Sequence, residues 1–261
     1  MKLGFIGTGR IAADLVEGLC DHAPPGQEIY LSPRNREVSS RLAATYPGVK
    51  VSENNQAVVK AAEIVFLSVP PAGALEVLRN LRFASGQLLI SLVAMTPLEE
   101  VHALVPWGTV VRAVPLPSVK RRHSPTIMYP DNPVVRSIFD RLGRAIVLED
   151  EDAFCTMEAV TGLIKPMYTM LNEVSRWLVG HGVPEQTATR FVIEEFHSML
   201  GLAAEAGSPG LDVLSAGAAT QGGLNQQAAE FLRMAGTLDD LADALDDLLA
   251  RIVRQSAEGA R

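Results

Sequence analysis

The sequence is poor in cysteine and in long apolar runs, and it lacks an excess of positive charge. Cys20 and Cys155 are the two cysteines in 261 residues, too few and too far apart for a disulfide framework or a thiolate metal site. Free thiols in a reducing cytoplasm are expected, and no metal. Lysine and arginine total 23 against 30 acidic residues, a formal net charge of −7, which argues against nucleic acid or an anionic membrane as partner. No run approaches the roughly 20 apolar residues that a membrane helix needs; residues 88–95 are among the longest. No long apolar segment precedes the first glycines, so no signal peptide is expected. What is present is a 48% hydrophobic content, enough for a sizeable core and too much for whole-chain disorder.

Over the first 150 residues, short β-branched runs alternate with helical stretches. Residues 2–7, 28–32, 64–69, 87–91 and 109–114 read as strands, and 10–19, 34–46 and 72–81 as helices. A helix at 132–142 and a strand at 145–148 would finish the sheet. This alternation predicts a doubly wound parallel α/β domain. After the acidic run 149–152 the strands stop, which sets an expected boundary between a domain 1–150 and an all-α domain 151–261. Phe154, Met157, Val160, Ile164, Met167, Leu171, Val174 and Leu178 recur at helical spacing, and Lys165 is the only charge between Ala159 and Asn172. A helix apolar on nearly every face is buried on several sides, and so thin a helical layer implies a second subunit. Further helices are expected at 185–206, 226–234 and 238–254.

The opening Gly4-Phe5-Ile6-Gly7-Thr8-Gly9-Arg10-Ile11-Ala12 places a G-x-G-x-x-A between the first strand and the first helix. Gly7 permits the tight turn, Gly9 lets a pyrophosphate reach the backbone, and Ala12 allows close helix–strand contact. The phosphates would sit on the helix N-terminus beside Thr8, Arg10 and Ile11. At the end of the second strand, Ser32-Pro33-Arg34-Asn35-Arg36 stands where an NAD site has an acid. Ser32, Arg34 and Arg36 can hold a 2′-phosphate, which points to NADP(H) rather than NAD(H). Ser32 reads equally as the cap of a helix whose first turn holds Pro33. Ser68, Val69 and Pro70 end the next strand on the cofactor side.

These residues resemble the pyrroline-5-carboxylate reductases, which reduce a cyclic imine to proline with a nicotinamide cofactor. The likeness covers nearly the whole chain. It is carried by the opening motif, the strand before Val69-x-Pro71, Ser91-Leu92-Val93-Ala94, Val110-Val111-Arg112 followed by Pro115, and Ala219-Thr220-Gln221-Gly222-Gly223. It implies a Rossmann domain with a cofactor contact at Ala94, then a helical domain that interlocks with its twin in a homodimer. The chain departs from the family at Arg10 (usually Asn) and Pro70 (usually Lys). Val114-Pro115-Leu116-Pro117-Ser118 replaces Met-Pro-Asn-Thr-Pro, and Ser-Gly-Ser-Gly-Pro has no counterpart around 161–166. Thr220-Gln221-Gly222-Gly223-Leu224-Asn225 stands for Ser-Pro-Gly-Gly-Thr-Thr, the loop that holds the substrate carboxylate. The sequence thus reads as a divergent member with altered substrate motifs.

Thr220, Gly222, Gly223 and Asn225 have the chemistry of an anion site before a helix, or equally of a turn capped by Asn225. Lys165 precedes Pro166 in an apolar segment; desolvated there it would suit a proton donor, and otherwise it reaches the surface. Lys120-Arg121-Arg122-His123 reads as a solvated loop, and His181 and His197 as ordinary helix residues. The expected activity is NADPH-dependent reduction of a C=N or C=O bond in a small carboxylate-bearing substrate. Lys165 and Thr220 are its candidate catalytic residues. A catalytically silent NADP(H)-binding sensor and a hydroxyacid dehydrogenase-like enzyme are the competing expectations.

Overall fold

A computed structural model of the chain describes residues 1–207 and 210–259. Contacts divide it into a first unit, Met1–Ala159 with Leu249–Arg261, and a second, Val160–Leu248. The first unit runs β1 (Lys2–Ile6), α1 (Arg10–Cys20), β2 (Glu28–Leu31), α2 (Arg36–Thr45), β3 (Val49–Val51), α3 (Asn55–Ala61), β4 (Ile64–Leu67) and α4 (Ala74–Arg79). It continues through β5 (Leu88–Ser91), α5 (Leu98–Leu104), β6 (Thr109–Val114), β7 (Ser124–Tyr129), α6 (Pro133–Asp140), β8 (Gly143–Val147) and α7 (Glu151–Val160). Its strands form one eight-stranded sheet in the order β3-β2-β1-β4-β5-β6-β7-β8. Pairing is parallel except between β6 and β7.

Strand alternation builds two cores. Leu3, Phe5, Ile64, Phe66, Ile90 and Val111 face α1, α2 and α6, while Ile6, Val65, Leu67 and Leu89 face α3, α4 and α5. Phe5 and Phe66 stack across β1 and β4 with centroids 4.5 Å apart. Gly4 lies under α3, where a Cβ would come within 2.7 Å of Val58. The strand order reverses between β1 and β4, so the crevice at their C-terminal ends is where a ligand belongs in such a sheet.

Two strands and two helices of this unit escape the sequence reading. β3 has three residues, too few for a pattern, and β7 carries Pro125, which argues against a strand from sequence alone. Pro125 is tolerated because it lies outside the β7 residues that pair with β6, Ile127 to Tyr129, so no ladder bond to that strand is lost. The short α3 and α5 have too few turns to show a period.

One buried cation ties β6 to α7. Arg112 is 1% exposed and pairs with Glu158 (Nη2 to Oε2, 2.9 Å) and Glu151 (Nη1 to Oε1, 2.7 Å). Its guanidinium lies 4.4 Å from the centre of the Phe154 ring. The same carboxylates accept backbone N–H groups of the loop after β5, Met95 onto Glu158 and Leu98 onto Glu151. Burial pushes the Glu158 carboxyl up, against the lowering effect of Arg112 and the Met95 N–H. These bonds tie α7 to the sheet, and the first unit extends through Ala159.

The second unit contains only helices among its described residues: α8 (Ile164–Gly180), α9 (Glu185–Ala206), α10 (Leu211–Gly217), α11 (Leu224–Met234) and most of α12 (Thr237–Gly259). The expected single helix from Phe154 to Leu178 is broken by a 3-10 turn, Thr161–Leu163. Pro166 is the reason: it has no N–H for the Gly162 carbonyl and its ring would clash there, so it is accommodated in the first turn of α8, which begins at Ile164. In the isolated chain α8 is not buried as its composition implies. Tyr168 is 70% and Trp177 62% exposed, and only Ser175 on this helix is buried. No helix among the described residues is long and apolar enough to cross a membrane.

Replacing Arg112 by Met should leave the Glu158 carboxylate buried without its counter-charge. Urea unfolding is expected to show a loss of about 3–5 kcal/mol, partly restored when Glu158 is also replaced by Leu. Burial raises the Cys20 thiol from 9.0 to about 11 and also raises Cys155. Two pKa units leave about 100-fold less thiolate, so Cys20 should alkylate on the order of 100-fold more slowly in the native chain than in urea at pH 8. Its folded thiol holds the proton more tightly than the unfolded one. That contribution to stability is complete below pH 9.0 and is lost as the pH rises toward about 11.

Candidate active site

The β1–α1 turn is built from both sides. Gly7 has φ +92°, and a Cβ there would sit 2.4 Å from the Ser68 carbonyl oxygen, so β4 presses against the turn where only glycine fits. The Gly7 N–H donates to Ser32 Oγ at 2.9 Å, and Asn35 Nδ2 donates to the Thr8 carbonyl at 3.2 Å. The turn is thus fixed from the β2–α2 connection. Gly9 is the N-cap of α1 with no side-chain cap, and a Cβ there would meet open space. The first-turn N–H groups of α1, those of Arg10 and Ile11 included, therefore face an approachable side. Arg10 is extended into solvent, its side chain 88% exposed and 4.0 Å from Asp14.

The arrangement fits a dinucleotide. Thr8 Oγ1, Ser68 Oγ and Ser91 Oγ are buried polar atoms without a hydrogen-bond partner, and they follow or end β1, β4 and β5. Three such atoms at one sheet edge call for a polar ligand or water. Beyond the end of β2, Arg34 and Arg36 line a cleft of about 700 Å³ with Pro33, Asn54, Val77 and Asn80. Both arginines are exposed, and neither forms an ion pair among the described residues. No acid ends β2; Glu53 enters the cleft from the β3–α3 side, a contributor that the sequence reading missed because β3 was not seen. Val69 is half-buried beside Gly7, Pro70 is exposed, and Ala94 lies in the loop after β5 with its carbonyl accepting from Thr96 Oγ1 at 3.3 Å. The structure therefore brings Gly7, Thr8, Gly9, Arg10, Ile11, Ser68, Val69, Pro70 and Ala94 to the C-terminal ends of β1, β4 and β5, with Arg34 and Arg36 beyond β2.

Ser32 takes a different role from the expected one. It is fully buried and its Oγ is engaged by Gly7, so it shapes the glycine turn rather than meeting a 2′-phosphate. Nor does it cap α2. Asn35 does, accepting the Val38 N–H at 3.4 Å, and the helix starts at Arg36. Lys120 is exposed, as a solvated loop implies, but it has an ionic partner. It pairs with Glu17, which Arg41 holds from the other side at 2.8 Å. Burial acts to raise the Glu17 carboxyl, but the two cations hold it below its ordinary value.

In the second unit, Lys165 lies in the first turn of α8 and is exposed, so its own chain does not supply the expected desolvation. Thr220, Gly222, Gly223 and Asn225 form the turn before α11. Asn225 does not cap that helix: Gly223 is the N-cap, and Asn225 Nδ2 donates back to the Ala218 carbonyl at 2.8 Å. The Gly222 N–H donates to Gln226 Oε1 at 2.8 Å and the Gly223 N–H to the Thr220 carbonyl at 2.9 Å. Three of the donors expected for an anion, the Gly222 and Gly223 N–H groups and Asn225 Nδ2, are thus engaged by the chain itself. No hydrogen bond among the described residues joins Lys165 to this turn.

Comparison with known proteins agrees with this geometry. The family described as "NADP oxidoreductase coenzyme F420-dependent" matches residues 2–95, from β1 to the loop after β5. A pyrroline-5-carboxylate reductase of Haemophilus influenzae is 29% identical over 77% of this chain and 76% of its own. The pyrroline-5-carboxylate reductase of Streptococcus pyogenes superposes with a TM-score of 0.81 at 20% identity, covering 97% of this chain and 98% of that one. A Plasmodium falciparum pyrroline carboxylate reductase with NADP bound gives 0.84 at 16% identity, with 98% of each chain covered. By sequence the chain is similar to pyrroline-5-carboxylate reductases over about three quarters of its length, and by fold it is similar to them over nearly all of it.

Proposed function

We propose that the chain is an NADPH-dependent reductase of the C=N bond of a small carboxylate-bearing substrate, acting as a homodimer. The reading is carried by one observation: an uncapped helix N-terminus behind a rigid glycine turn, next to a cleft with two unpaired guanidinium groups. That donor set suits a pyrophosphate and a 2′-phosphate, which favours NADP(H) over NAD(H). When bound, NADPH supplies the hydride. The chain's own residues bind and orient it. The turn from Gly7 to Ile11 takes the pyrophosphate, Arg34 and Arg36 take the 2′-phosphate, and Ser68, Val69, Pro70 and Ala94 border the nicotinamide end.

Thr220, Gly222, Gly223 and Asn225 hold the substrate carboxylate in this reading, once Gln226 Oε1 releases the Gly222 N–H. Lys165 gives the proton to the substrate nitrogen. A second copy packed on α8 would cover Tyr168 and Trp177 and desolvate that region; Phe231 and Met234 on α11, 71% and 80% exposed, extend the apolar surface available to it. The two free thiols fit a reducing compartment such as the cytoplasm. An NADP(H)-binding protein without turnover is the second reading, favoured by the internal bond at Gly222 and the exposure of Lys165.

NADPH absorbance followed with a panel of cyclic imines and 2-oxo acids separates these readings. Turnover of an imine supports the reductase, and turnover of 2-oxo acids alone a hydroxyacid dehydrogenase-like enzyme. Tight NADPH binding with no turnover supports the silent binder. Replacing Arg34 and Arg36 together by Glu is expected to raise the NADPH dissociation constant about tenfold or more and to leave NADH within about twofold. Light scattering should give the mass of a dimer, and a Tyr168→Asp/Trp177→Asp variant that of a monomer.

A further inference from the structure

The loop after β5 has a conformation that its own sequence does not select. Met95 has a φ of 57°, a left-handed value that a residue with a bulky side chain seldom adopts, and no glycine lies between Ser91 and Leu98 to ease it. The turn is held from outside. The Met95 N–H donates to Glu158 Oε1 at 2.9 Å and the Leu98 N–H to Glu151 Oε1 at 2.8 Å, both carboxylates reaching across from α7. A carboxylate as buried as Glu158, 5% exposed, needs a counter-charge, and Arg112 supplies it at 2.9 Å from β6. Arg112 also takes Glu151 at 2.7 Å, so one guanidinium fixes both acceptors. Ala94, the residue immediately before the left-handed turn, takes its backbone direction from that turn.

We propose that Glu158, assisted by Glu151 and held by Arg112, is a positioning residue that sets the Met95 turn and thereby presents the Ala94 backbone to the nicotinamide end of the cofactor. This inference rests on the NADP(H) reading above. Arg34 and Arg36 lie beyond a different strand, β2, and touch none of the three charged groups. The adenosine-phosphate end of the cofactor should therefore be indifferent to them, and the two ends of the ligand can be read separately.

The test uses the full chain with Glu158→Ala, titrated calorimetrically with NADPH and with adenosine 2′,5′-bisphosphate. Amide hydrogen exchange is measured on the same protein without ligand. The NADPH dissociation constant is expected to rise about tenfold while that of the bisphosphate stays within about twofold. Exchange at residues 95–98 should accelerate, with β6 unchanged. Glu158→Gln, which keeps an acceptor for the Met95 N–H, should recover most of the NADPH affinity. If Glu158→Ala fails to fold, Glu151→Ala, at a side chain 32% exposed, is expected to give the same pattern centred on Leu98. Equal losses for both ligands, or accelerated exchange spread through β6 and α7, would show general loosening and overturn the proposal. So would unchanged exchange at 95–98. If the unaltered chain binds neither ligand, the cofactor reading fails by itself, and the exchange data still decide whether Glu158 sets the turn.

Discussion

A guanidinium with almost no access to water needs counter-charges beside it, and that requirement at Arg112 organises the first unit. Two carboxylates from α7, a phenyl ring from the same helix and the end of β6 converge on it. Breaking such a buried pair leaves a bare charge in a low-dielectric interior, which makes the contact between β6 and α7 costly to lose. The loop after β5 is joined to the same carboxylates through the backbone N–H groups of Met95 and Leu98. The helix that carries the carboxylates is thereby claimed for the sheet domain, although its composition reads like that of the helices after it.

At the opposite side of the switch point, the glycine turn follows another logic. Here the chain removes atoms instead of adding charges: a Cβ at Gly7 would overlap the end of β4, and the space beside Gly9 is left empty. Ser32 and Asn35 then tie the turn to the end of β2. Rigid backbone donors held in this way need no reorganisation when an anion arrives, which is how a helix N-terminus becomes a phosphate site. The second unit contrasts with both. Its large apolar side chains stay uncovered in one chain, and its glycine turn satisfies its own donors.

Much of the sheet was legible because its strands are buried on both faces and read as short continuous apolar runs; β1, β2, β4, β5 and β6 fall where expected to within two residues. The glycine turn was legible for a related reason, since the steric demand acts within a few consecutive positions. β3 and β7 were not, because three residues carry no period and Pro125 signals against a strand. The role of Ser32 was misread. A serine before a proline looks like a helix cap, and only the approach of β1 to the end of β2 reveals that its hydroxyl serves Gly7. Arg112 appeared in the sequence only within a strand motif; nothing local marks it as buried or names its partners.

The sequence by itself determined the α/β-then-α order, the glycine turn between β1 and α1 and the apolar excess of the C-terminal helices. These depend on periodicity and on sterics between near neighbours, which composition and spacing encode directly. Tertiary structure alone decided that α7 belongs with the sheet, that Met95 turns left-handed and that Lys165 is exposed in the single chain. Those outcomes depend on pairing between groups far apart in sequence, such as Arg112 and Glu158, whose energies exist only once the chain has brought them out of water.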